Sequence, residues 1–264
     1  MQKRHTDRKM YFRDLEITSK EFYISYLSDF TELTPKSRIL EVGCGEGGNL
    51  VPFAQLGCKV TGIDIAECRI KEAKAYFSEI SNHATFVCSD FMQYPVPCNE
   101  EDKYDVILLH DVIEHVPTKE PFLAHLRKFM KTKGVLFVGF PAWQMPFGGH
   151  QQICRSKLCS HLPFIHLLPT PLYRLLLKTC NEEKGTMNEL MSIKECRTSI
   201  ELFERLIHQC DFSVTDQKLW FINPHYKQKF HLTPRLLPHW VWKMKYIRNF
   251  FTTSCWYILT TSHK

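Results

Sequence analysis

The sequence predicts an α/β fold built around a largely parallel β-sheet. Two observations support this prediction. Between residues 36 and 140 short apolar runs alternate with amphipathic stretches, and the run at residues 104–109 is almost continuously apolar. Such alternation is typical of βαβ units, and an unbroken apolar strand is expected where helices cover both faces of a parallel sheet.

The individual elements follow from the same patterns. A first helix over residues 19–30 carries Phe22, Tyr26 and Phe30 at four-residue spacing. Strands are predicted at residues 38–42, 59–63, 85–88, 104–109, 135–140, 212–222 and 254–259. Two further helices are predicted over 49–56 and near Ile70, Ala73 and Phe77. Another begins at Pro121, carries Phe122, Leu126, Phe129 and Met130 on one face, and ends at a C-cap at Gly134. The last is predicted over 198–210, where Thr198 to Glu201 form a capping box.

Two segments interrupt this alternation within what we expect to be a single domain over residues 1–264. Residues 141–193, the lid insert, contain many large apolar side chains and prolines at positions 146, 163, 169 and 171. They predict a helical lid over the ligand site or, equally, an ordinary packed helical subdomain. Residues 223–253, the tail insert, are basic and aromatic and precede the last predicted strand.

The composition excludes several classes of protein. Of the 264 residues 44% are hydrophobic and 23% are charged, as in an ordinary globular chain rather than a disordered one. We find no run of 18 apolar residues and no apolar stretch near Met1, so we expect neither a membrane span nor a signal peptide. Eleven cysteines without Cys-x-x-Cys spacing fit a reducing compartment, and we therefore expect a cytoplasmic protein.

The net charge of +6 is distributed unevenly. The last acidic residue is Asp216, and eight lysines and arginines follow it, so the chain after Asp216 carries +8 and the rest carries −2. This C-terminal segment could rest on an anionic membrane surface, meet nucleic acid through phosphates, cover an anionic substrate, or pack beside the sheet. Nucleic acid is not favoured, because the body of the protein is not basic and no RNA-binding module is recognisable.

A glycine-rich turn follows the first predicted strand. Gly43, Gly45 and Gly48 lie between that strand and the next helix. Glycine lets the backbone approach a ligand closely, and the start of a helix supplies N–H groups. The spacing also satisfies G-x-G-x-x-G, so a dinucleotide site must be considered.

Carboxylates follow the next two strands. Asp64 ends the second strand, where it can accept hydrogen bonds from both hydroxyls of a ribose. Asp90 and Phe91 follow the third strand, where an acid can accept from the exocyclic amine of adenine and a ring can cover its face. Because the carboxyl ends of parallel strands lie at one edge of a sheet, this placement favours an adenosyl ligand.

With these residues in place, the sequence resembles the class I S-adenosylmethionine-dependent methyltransferases. The matching stretches are residues 39–47, 62–65, 89–91, 104–107 and 110–116. The resemblance implies a three-layer sandwich around a seven-stranded, mostly parallel sheet whose last strand is antiparallel. It also implies S-adenosyl-L-methionine as the cofactor.

The resemblance assigns roles residue by residue. It implies that Gly43 and Gly45 hold the methionine part of the cofactor, that Asp64 with Ile65 holds the ribose, and that Asp90 with Phe91 holds the adenine. Glu41 and His110 are further candidates for binding the cofactor. Glu41 has an alternative, which is to cap the helix or pair with a nearby amide.

Candidates for catalysis follow the fourth strand. Asp111, Glu114 and His115 form D-x-x-E-H, and His150 follows the fifth strand. Ubiquinone-pathway O-methyltransferases and small-RNA 2′-O-methyltransferases look similar here with E-x-x-E-H, and some of them bind a divalent metal at it. Many methyltransferases carry Glu-His here without a metal, so a divalent metal is an alternative that we do not favour, and no metal ligand is predicted. The candidate catalytic residues are therefore His110, His115 and His150.

The predicted function is transfer of a methyl group from S-adenosylmethionine to a small, partly apolar acceptor, at an oxygen. Three alternatives stay open. They are a nicotinamide-dependent dehydrogenase that uses the same glycine turn, a non-catalytic adenosyl-binding protein, and, less favoured, an RNA methyltransferase. The expected partner is a small-molecule acceptor, and the basic tail leaves peripheral membrane contact open.

Overall fold

The computed structural model describes residues 7–80 and 83–262. Its eight strands form one sheet in the order β3-β2-β1-β4-β5-β8-β6-β7. The strands are β1 (Arg38–Val42), β2 (Lys59–Asp64), β3 (Ala84–Cys88), β4 (Tyr104–His110), β5 (Met130–Phe140), β6 (Phe212–Ile222), β7 (Arg235–Leu236) and β8 (Ser254–Thr261). The expectation about a signal peptide concerns residues 1–6, which lie outside the described residues.

The first five strands are parallel and β8 runs against them. β8 pairs antiparallel with β5 on one side and with β6 on the other. The α/β prediction is confirmed, and so is an antiparallel last strand. The strand count differs by one, because the two-residue strand β7 within the tail insert pairs with β6 at the edge of the sheet.

Helices cover both faces of the sheet. They are α1 (Arg8–Thr18), α2 (Ile24–Ser28), α3 (Val51–Gln55), α4 (Glu67–Phe77), α5 (Lys119–Arg127), α6 (Lys157–His161), α7 (Thr170–Thr179), α8 (Lys184–Cys196), α9 (Ile200–Gln209), α10 (Tyr226–Phe230), α11 (His239–Trp242) and α12 (Arg248–Phe251). Within the described residues, none of these helices is both long and apolar enough to cross a membrane.

Two apolar layers separate the sheet from its helices. Leu40 of β1 faces one layer together with Leu123 of α5 and Phe203 of α9. Its neighbour Ile39 faces the other layer together with Phe53 of α3. Successive side chains of a strand point to opposite faces, so an almost continuously apolar strand is buried from both sides. The molecule is therefore a three-layer sandwich.

The first helix begins earlier than the sequence predicts and is interrupted. α1 starts at Arg8, a π-helical turn occupies Ser19–Tyr23, and α2 ends at Ser28 rather than at residue 30. The π-turn changes the helical phase, so Tyr23 joins Tyr26 in the buried face while Phe22 is only partly buried. Such turns occur frequently at functional sites.

The predicted helix from Pro121 to a C-cap at Gly134 is wrong at its end. α5 stops at Arg127, and Met130 already begins β5. Gly134 lies inside that strand next to a register shift in the pairing with β4. A Cβ atom at Gly134 would lie 2.9 Å from the carbonyl oxygen of Tyr104, so this glycine allows two strands to approach closely instead of ending a helix.

The lid insert contains α6, α7 and most of α8 and has a small apolar core of its own. Tyr173 and Leu177 of α7 pack with Leu190 of α8 in this core. α8 also contacts the 3-10 turn Ile113–His115 that follows β4. The lid insert is therefore attached at the carboxyl end of the sheet.

The tail insert is attached to α9 by polar contacts. Ser199, rather than Thr198, caps α9 by accepting from the N–H of Leu202. Glu201, the acid of the predicted capping box, instead accepts from Arg248 at 3.0 Å and from the amide of Asn249 at 2.6 Å. The predicted capping box is thus wrong in detail, because the carboxylate of Glu201 binds the tail insert.

Candidate active site

A cleft of about 400 Å³ lies at the carboxyl ends of β1, β2 and β3 and extends to the loop after β4. We call it the strand-end cleft. It is lined by the predicted residues Gly43, Asp64, Ile65, Asp90, Phe91 and His115, together with Val112 and other apolar side chains. In open α/β sheets, ligands bind at this edge.

The glycine turn forms one wall of the strand-end cleft. Gly43 has a φ of +71°, which favours glycine, and a Cβ atom there would lie 2.4 Å from Cγ2 of Val112. Its N–H donates to the carbonyl of Ile63 at 2.8 Å. Gly45 also has a positive φ, of +54°, but a Cβ there would meet no atom closer than 3.8 Å. The two glycines are therefore required for different reasons.

Asp64 ties the second strand end to this turn. One carboxylate oxygen accepts from the N–H of Gly45 at 2.9 Å and the other from the N–H of Ala66 at 2.8 Å. A carboxylate has about four lone-pair sites, so Asp64 keeps acceptor capacity for ligand hydroxyls. Ile65 beside it is 75% exposed, and its side chain offers an apolar surface to a bound ligand.

Asp90 and Phe91 occupy the third strand end in different ways. Asp90 is exposed and caps a 3-10 turn by accepting from the N–H of Met92 at 2.9 Å. Phe91 is only 5% exposed, and its ring packs against Phe122 and Phe129. The ring thus forms part of the cleft floor, and its contact with a ligand stays a prediction.

A group of buried polar atoms surrounds the glycine turn on the side of the first helix. Oε1 of Glu41 accepts from Nδ2 of Asn49 at 2.7 Å, and the ring of Tyr23 lies 5.4 Å from that of His110. Four atoms in this group are buried without a hydrogen-bond partner among the described residues. They are the Tyr23 hydroxyl, Oε2 of Glu41, Oδ1 of Asn49 and Nε2 of His110.

Burial raises the pKa of Glu41 to about 8; the charge of Asp64 adds to this and the bond from Asn49 opposes it. Buried polar atoms without partners are rare in folded proteins, so this group is suited to a polar ligand. The sequence singled out Glu41 and His110 but missed Tyr23 and Asn49. The π-turn that brings Tyr23 into the group leaves no clear sequence signal.

A second polar cluster joins Glu114, His115 and His150. Oε1 of Glu114 lies 4.0 Å from Nε2 of His115 and 3.8 Å from Nε2 of His150. The two imidazole rings meet edge to face with centroids 5.0 Å apart. Both carboxylate oxygens of Glu114 are buried without a hydrogen-bond partner among the described residues. The structure thus brings together three of the residues that the D-x-x-E-H motif and His150 suggested.

The surroundings of this cluster favour uncharged imidazoles. Burial lowers the pKa of His150 to about 4, and the neighbouring His115 contributes to the decrease. Burial also lowers the pKa of His115 and raises the pKa of Glu114, where the charge of Asp111 adds to the effect. Both histidines are therefore neutral near pH 7 and can accept a proton.

The cluster also has the composition of a cation site. The candidate ligand atoms of Glu114, His115 and His150 all lie within 4.8 Å of one another. A buried carboxylate without a partner and two imidazoles suit a divalent transition metal. His110 lies outside this group and contacts Asp111 through Nδ1 at 3.4 Å. The expectation of no metal ligand stays a prediction.

A smaller cavity of about 130 Å³, the second cavity, lies on the other side of this cluster. Asp111 and His150 line it, whereas His115 lines the strand-end cleft. The other walls come from the lid insert and the tail insert, through residues that include Phe147, Gln152, His225 and Lys229. The contact between His115 and His150 therefore lies between the two cavities.

Comparisons with known proteins agree with this geometry. A family model described as a methyltransferase domain matches residues 15–152, which is more than half of the chain. The ubiquinone biosynthesis O-methyltransferase of Bartonella quintana is 32% identical over 125 residues, which cover 45% of this chain and 49% of that protein. A sterol 24-C-methyltransferase of Gibberella zeae is 31% identical over 125 residues, which cover 46% of this chain and 31% of that protein. The chain thus matches about half or less of the length of these curated relatives.

A solved structure shares the fold over nearly the whole chain. The plantazolicin methyltransferase in complex with a triazolic desmethylPZN analog and SAH superposes with a TM-score of 0.58 at 17% identity, covering 97% of this chain and 88% of that chain. At this identity the likeness concerns the fold alone. The family model, the sheet order and the glycine turn lead to one conclusion: the chain belongs to the methyltransferase domain family, within the class I S-adenosylmethionine-dependent methyltransferases.

Proposed function

We propose that the protein transfers a methyl group from S-adenosylmethionine to an oxygen of a small, partly apolar acceptor. One observation carries this proposal. The strand-end cleft is lined by His115 and the second cavity by His150, and the two cavities adjoin where these imidazole rings meet, with centroids 5.0 Å apart. A cofactor in the first space and an acceptor in the second would meet at proton-accepting groups.

The strand-end cleft offers a matching group for each part of the cofactor. The unpartnered Oε2 of Glu41 suits the ammonium of the methionine part, close to the turn at Gly43 and Gly45. Asp64 can accept from the ribose hydroxyls, and Asp90 can accept from the adenine amine. The same turn would admit a dinucleotide, but the acid at Asp90 favours an adenosyl group at the third strand end.

The acceptor atom is proposed from proton chemistry. Methyl transfer from a sulfonium is an in-line displacement, in which alignment can supply on the order of 7–11 kcal/mol. A hydroxyl acceptor must also lose its proton, and His150 is neutral because its pKa is about 4. The charge of Asp111, which favours the protonated form of His150 and raises its pKa, would stabilise the resulting imidazolium. General-base help of this kind contributes about 10²–10⁴-fold in rate.

The same cluster has a second possible function, which is to bind a divalent cation. Glu114, His115 and His150 would hold it, and a cation bound there would acidify a nearby hydroxyl. Metal analysis of the purified protein, together with activity in the presence of a chelator, separates proton transfer to His150 from activation by a bound cation. Full activity in chelator would leave His150 as the proton acceptor.

The proposal is tested by titration with S-adenosylhomocysteine and NAD, followed by transfer from a labelled methyl donor to a metabolite library. We expect saturable binding of S-adenosylhomocysteine, no binding of NAD, and transfer to a hydroxylated small molecule. Tight NAD binding without S-adenosylhomocysteine binding would support the dehydrogenase alternative. Binding without any transfer would support the non-catalytic alternative, and transfer to RNA alone would support an RNA methyltransferase.

Cytoplasmic location and peripheral membrane contact stay predictions. For membrane contact, the relevant side chains are Trp240 and Tyr246 of the tail insert, which are 71% and 68% exposed. The exposed Lys243 and Lys245 lie between them in sequence. Aromatic rings beside cationic side chains suit the interface of an anionic membrane.

A further inference from the structure

We propose that a separate cavity, at the edge of the sheet opposite the proposed cofactor site, binds a phosphate group. We call it the strand-start cavity. It has a volume of about 280 Å³, and the described residues that line it are Arg38, Lys59, Val60, Thr61, His83 and Thr85. The inference is independent of the proposed methyl transfer.

The strand-start cavity lies far from the strand-end cleft. Arg38 and Lys59 are the first residues of β1 and β2, whereas Asp64, the last residue of β2, lines the strand-end cleft. Five steps along a strand span roughly 16 Å. Ligands of open α/β sheets bind at the carboxyl ends of the strands. The cofactor therefore does not account for the groups gathered at the amino ends.

The cavity exists because one face of the sheet is open here. The connection from β3 to β4, residues 89–103, forms only two 3-10 turns, Phe91–Gln93 and Glu100–Asp102. Lys59 and Thr85 are exposed on this side, whereas Val60 points to the other side and is buried. Parallel sheets usually have helices on both faces, so this open corner leaves room for a ligand.

The strand register groups the polar side chains into two pairs. Arg38 is the register partner of Lys59, and Thr61 is the register partner of Thr85. Residues two apart in a strand point to the same face, so the two pairs lie side by side. Like charges directly opposite each other destabilise a sheet. An anion bound between Arg38 and Lys59 would remove that repulsion.

The positive charges at this corner are not balanced by neighbouring acids. Within the described part of the chain, the side chains of Arg38 and Lys59 have no ion pair, and the hydroxyls of Thr61 and Thr85 have no hydrogen bond. The guanidinium of Arg38 lies 5.5 Å from the ring centroid of Tyr104, and its Nε is buried without a hydrogen-bond partner among those residues.

The carboxylate of Asp105 contacts this corner from outside the cavity. It accepts from the backbone N–H of Arg38 at 2.8 Å and pairs with Lys131 at 2.9 Å. Asp105 does not line the strand-start cavity, and neither does any other acid among the described residues. An anion would therefore meet hydrogen-bond donors there and no opposing carboxylate.

The set of donors suits a phosphate better than a carboxylate. A phosphate monoester offers three acceptor oxygens and up to two negative charges, which match a guanidinium, an ammonium and two hydroxyls. Arginine binds phosphate through two parallel hydrogen bonds. A volume of about 280 Å³ lies just below the ~300–1,000 Å³ of pockets for drug-sized ligands. The ligand class is therefore phosphate, either free or as the monoester of a small molecule.

The experiment combines calorimetric titration with thermal unfolding. The probes are inorganic phosphate, glucose 6-phosphate and, as the carboxylate, acetate. Each is titrated into the wild type, Lys59→Met, Thr61→Val and the matched control Lys36→Met. Lys36 is an exposed lysine close to Arg38 in sequence that does not line the cavity. A cooperative unfolding transition shows that each variant is folded.

We expect at least one phosphate probe to bind the wild type at one site and about 10-fold more tightly than acetate. Lys59→Met should weaken this binding about 10-fold, the lower end of the range for a hydrogen bond to a charged group. Thr61→Val should weaken it a few-fold, and Lys36→Met should leave it unchanged. Tighter binding of glucose 6-phosphate than of phosphate would identify a monoester as the ligand, and the reverse would identify the free ion.

Thermal unfolding gives a second readout. Saturating phosphate should raise the Tm of the wild type, because a ligand that binds only the folded state stabilises it. The increase should be smaller for Lys59→Met at the same phosphate concentration. The inference is overturned if neither phosphate probe binds saturably, if acetate binds as tightly, or if Lys59→Met and Lys36→Met bind phosphate equally well.

Discussion

The strand-end cleft and the second cavity adjoin at the contact between His115 and His150 but are built in different ways. Short loops directly after β1, β2, β3 and β4 form the cleft, and its polar groups lie within a few residues of a strand end. The second cavity gathers side chains from the loop after β4, the lid insert and the tail insert. Local backbone geometry therefore fixes the proposed cofactor site, whereas the acceptor side depends on how two inserts fold against the sheet.

This difference implies that substitutions in the strand-end cleft and in the second cavity have separate effects. A change in the second cavity should alter turnover and leave cofactor binding intact. A change at the glycine turn should alter cofactor binding and the stability of the protein.

The largest effect is expected from His150→Asn. Asparagine tolerates the left-handed backbone at this position, where φ is +57°, and removes the proposed proton acceptor. With the acceptor found in the transfer screen, kcat should fall about 10²–10⁴-fold, while the Kd for S-adenosylhomocysteine stays unchanged. His161→Asn, at an exposed position of the same insert, is the control. Equal losses in kcat and in cofactor binding would show that the two sides are not separate.

The next effect is expected at the glycine turn. Gly43→Ala places a Cβ 2.4 Å from Val112 at a positive φ. Backbone strain of about 1–2 kcal/mol and crowding of about 1–3 kcal/mol should add up to a loss of stability. Gly45→Ala has the backbone strain alone, because its Cβ meets no atom closer than 3.8 Å. Thermal unfolding of the free proteins should therefore rank Gly43→Ala below Gly45→Ala, and equal values would contradict the contact with Val112.

A smaller, pH-dependent effect is expected from Glu41→Gln. The pKa of Glu41 is about 8 in the folded protein and 4.5 as its ordinary value, so the folded state binds more protons between these values. The stability of the wild type therefore falls as pH rises from about 4.5 to 8. The variant does not titrate there and should be more stable by about 1–3 kcal/mol at pH 8.

The same variant should weaken binding of S-adenosylhomocysteine, because it removes the charge that faces the ammonium. The measurements are denaturant unfolding at pH 5 and pH 8 and cofactor titration at pH 8. If the variant gains the same stability at pH 5 and at pH 8, the Glu41 carboxylate of the wild type is already ionised at pH 5. That result would contradict the raised pKa.

The smallest effect is expected from Trp240→Ala. Binding to vesicles that contain anionic lipid should weaken a few-fold, since one aromatic anchor is lost, while kcat and cofactor binding stay unchanged. Phe221→Ala, at a 45% exposed position on β6, is the control. Sedimentation with anionic and with neutral vesicles measures the effect. No binding of the wild type to anionic vesicles would remove membrane contact from the predictions.

The parts of the molecule that the sequence predicts are those that local chemistry determines. Gly43 and Asp64 were identified because a strand, a turn and an acid follow one another within a few residues. Tyr23 was missed because a π-turn, which has no clear sequence signal, brings it to the site. Lys229 was not singled out because its place beside Gln152 depends on tertiary contacts between the two inserts.

The backbone at Asp111 and His150 has a consequence for mutational tolerance. Both residues have positive φ, of +53° and +57°, a region that Gly, Asn, Asp and His enter more readily than β-branched residues. In a saturation library scored for expression, Gly and Asn should survive at both positions and Val and Ile should be depleted. Scored for turnover, the same Gly and Asn clones should be lost at position 150. The two scores together would separate what the loop needs in order to fold from what the reaction needs.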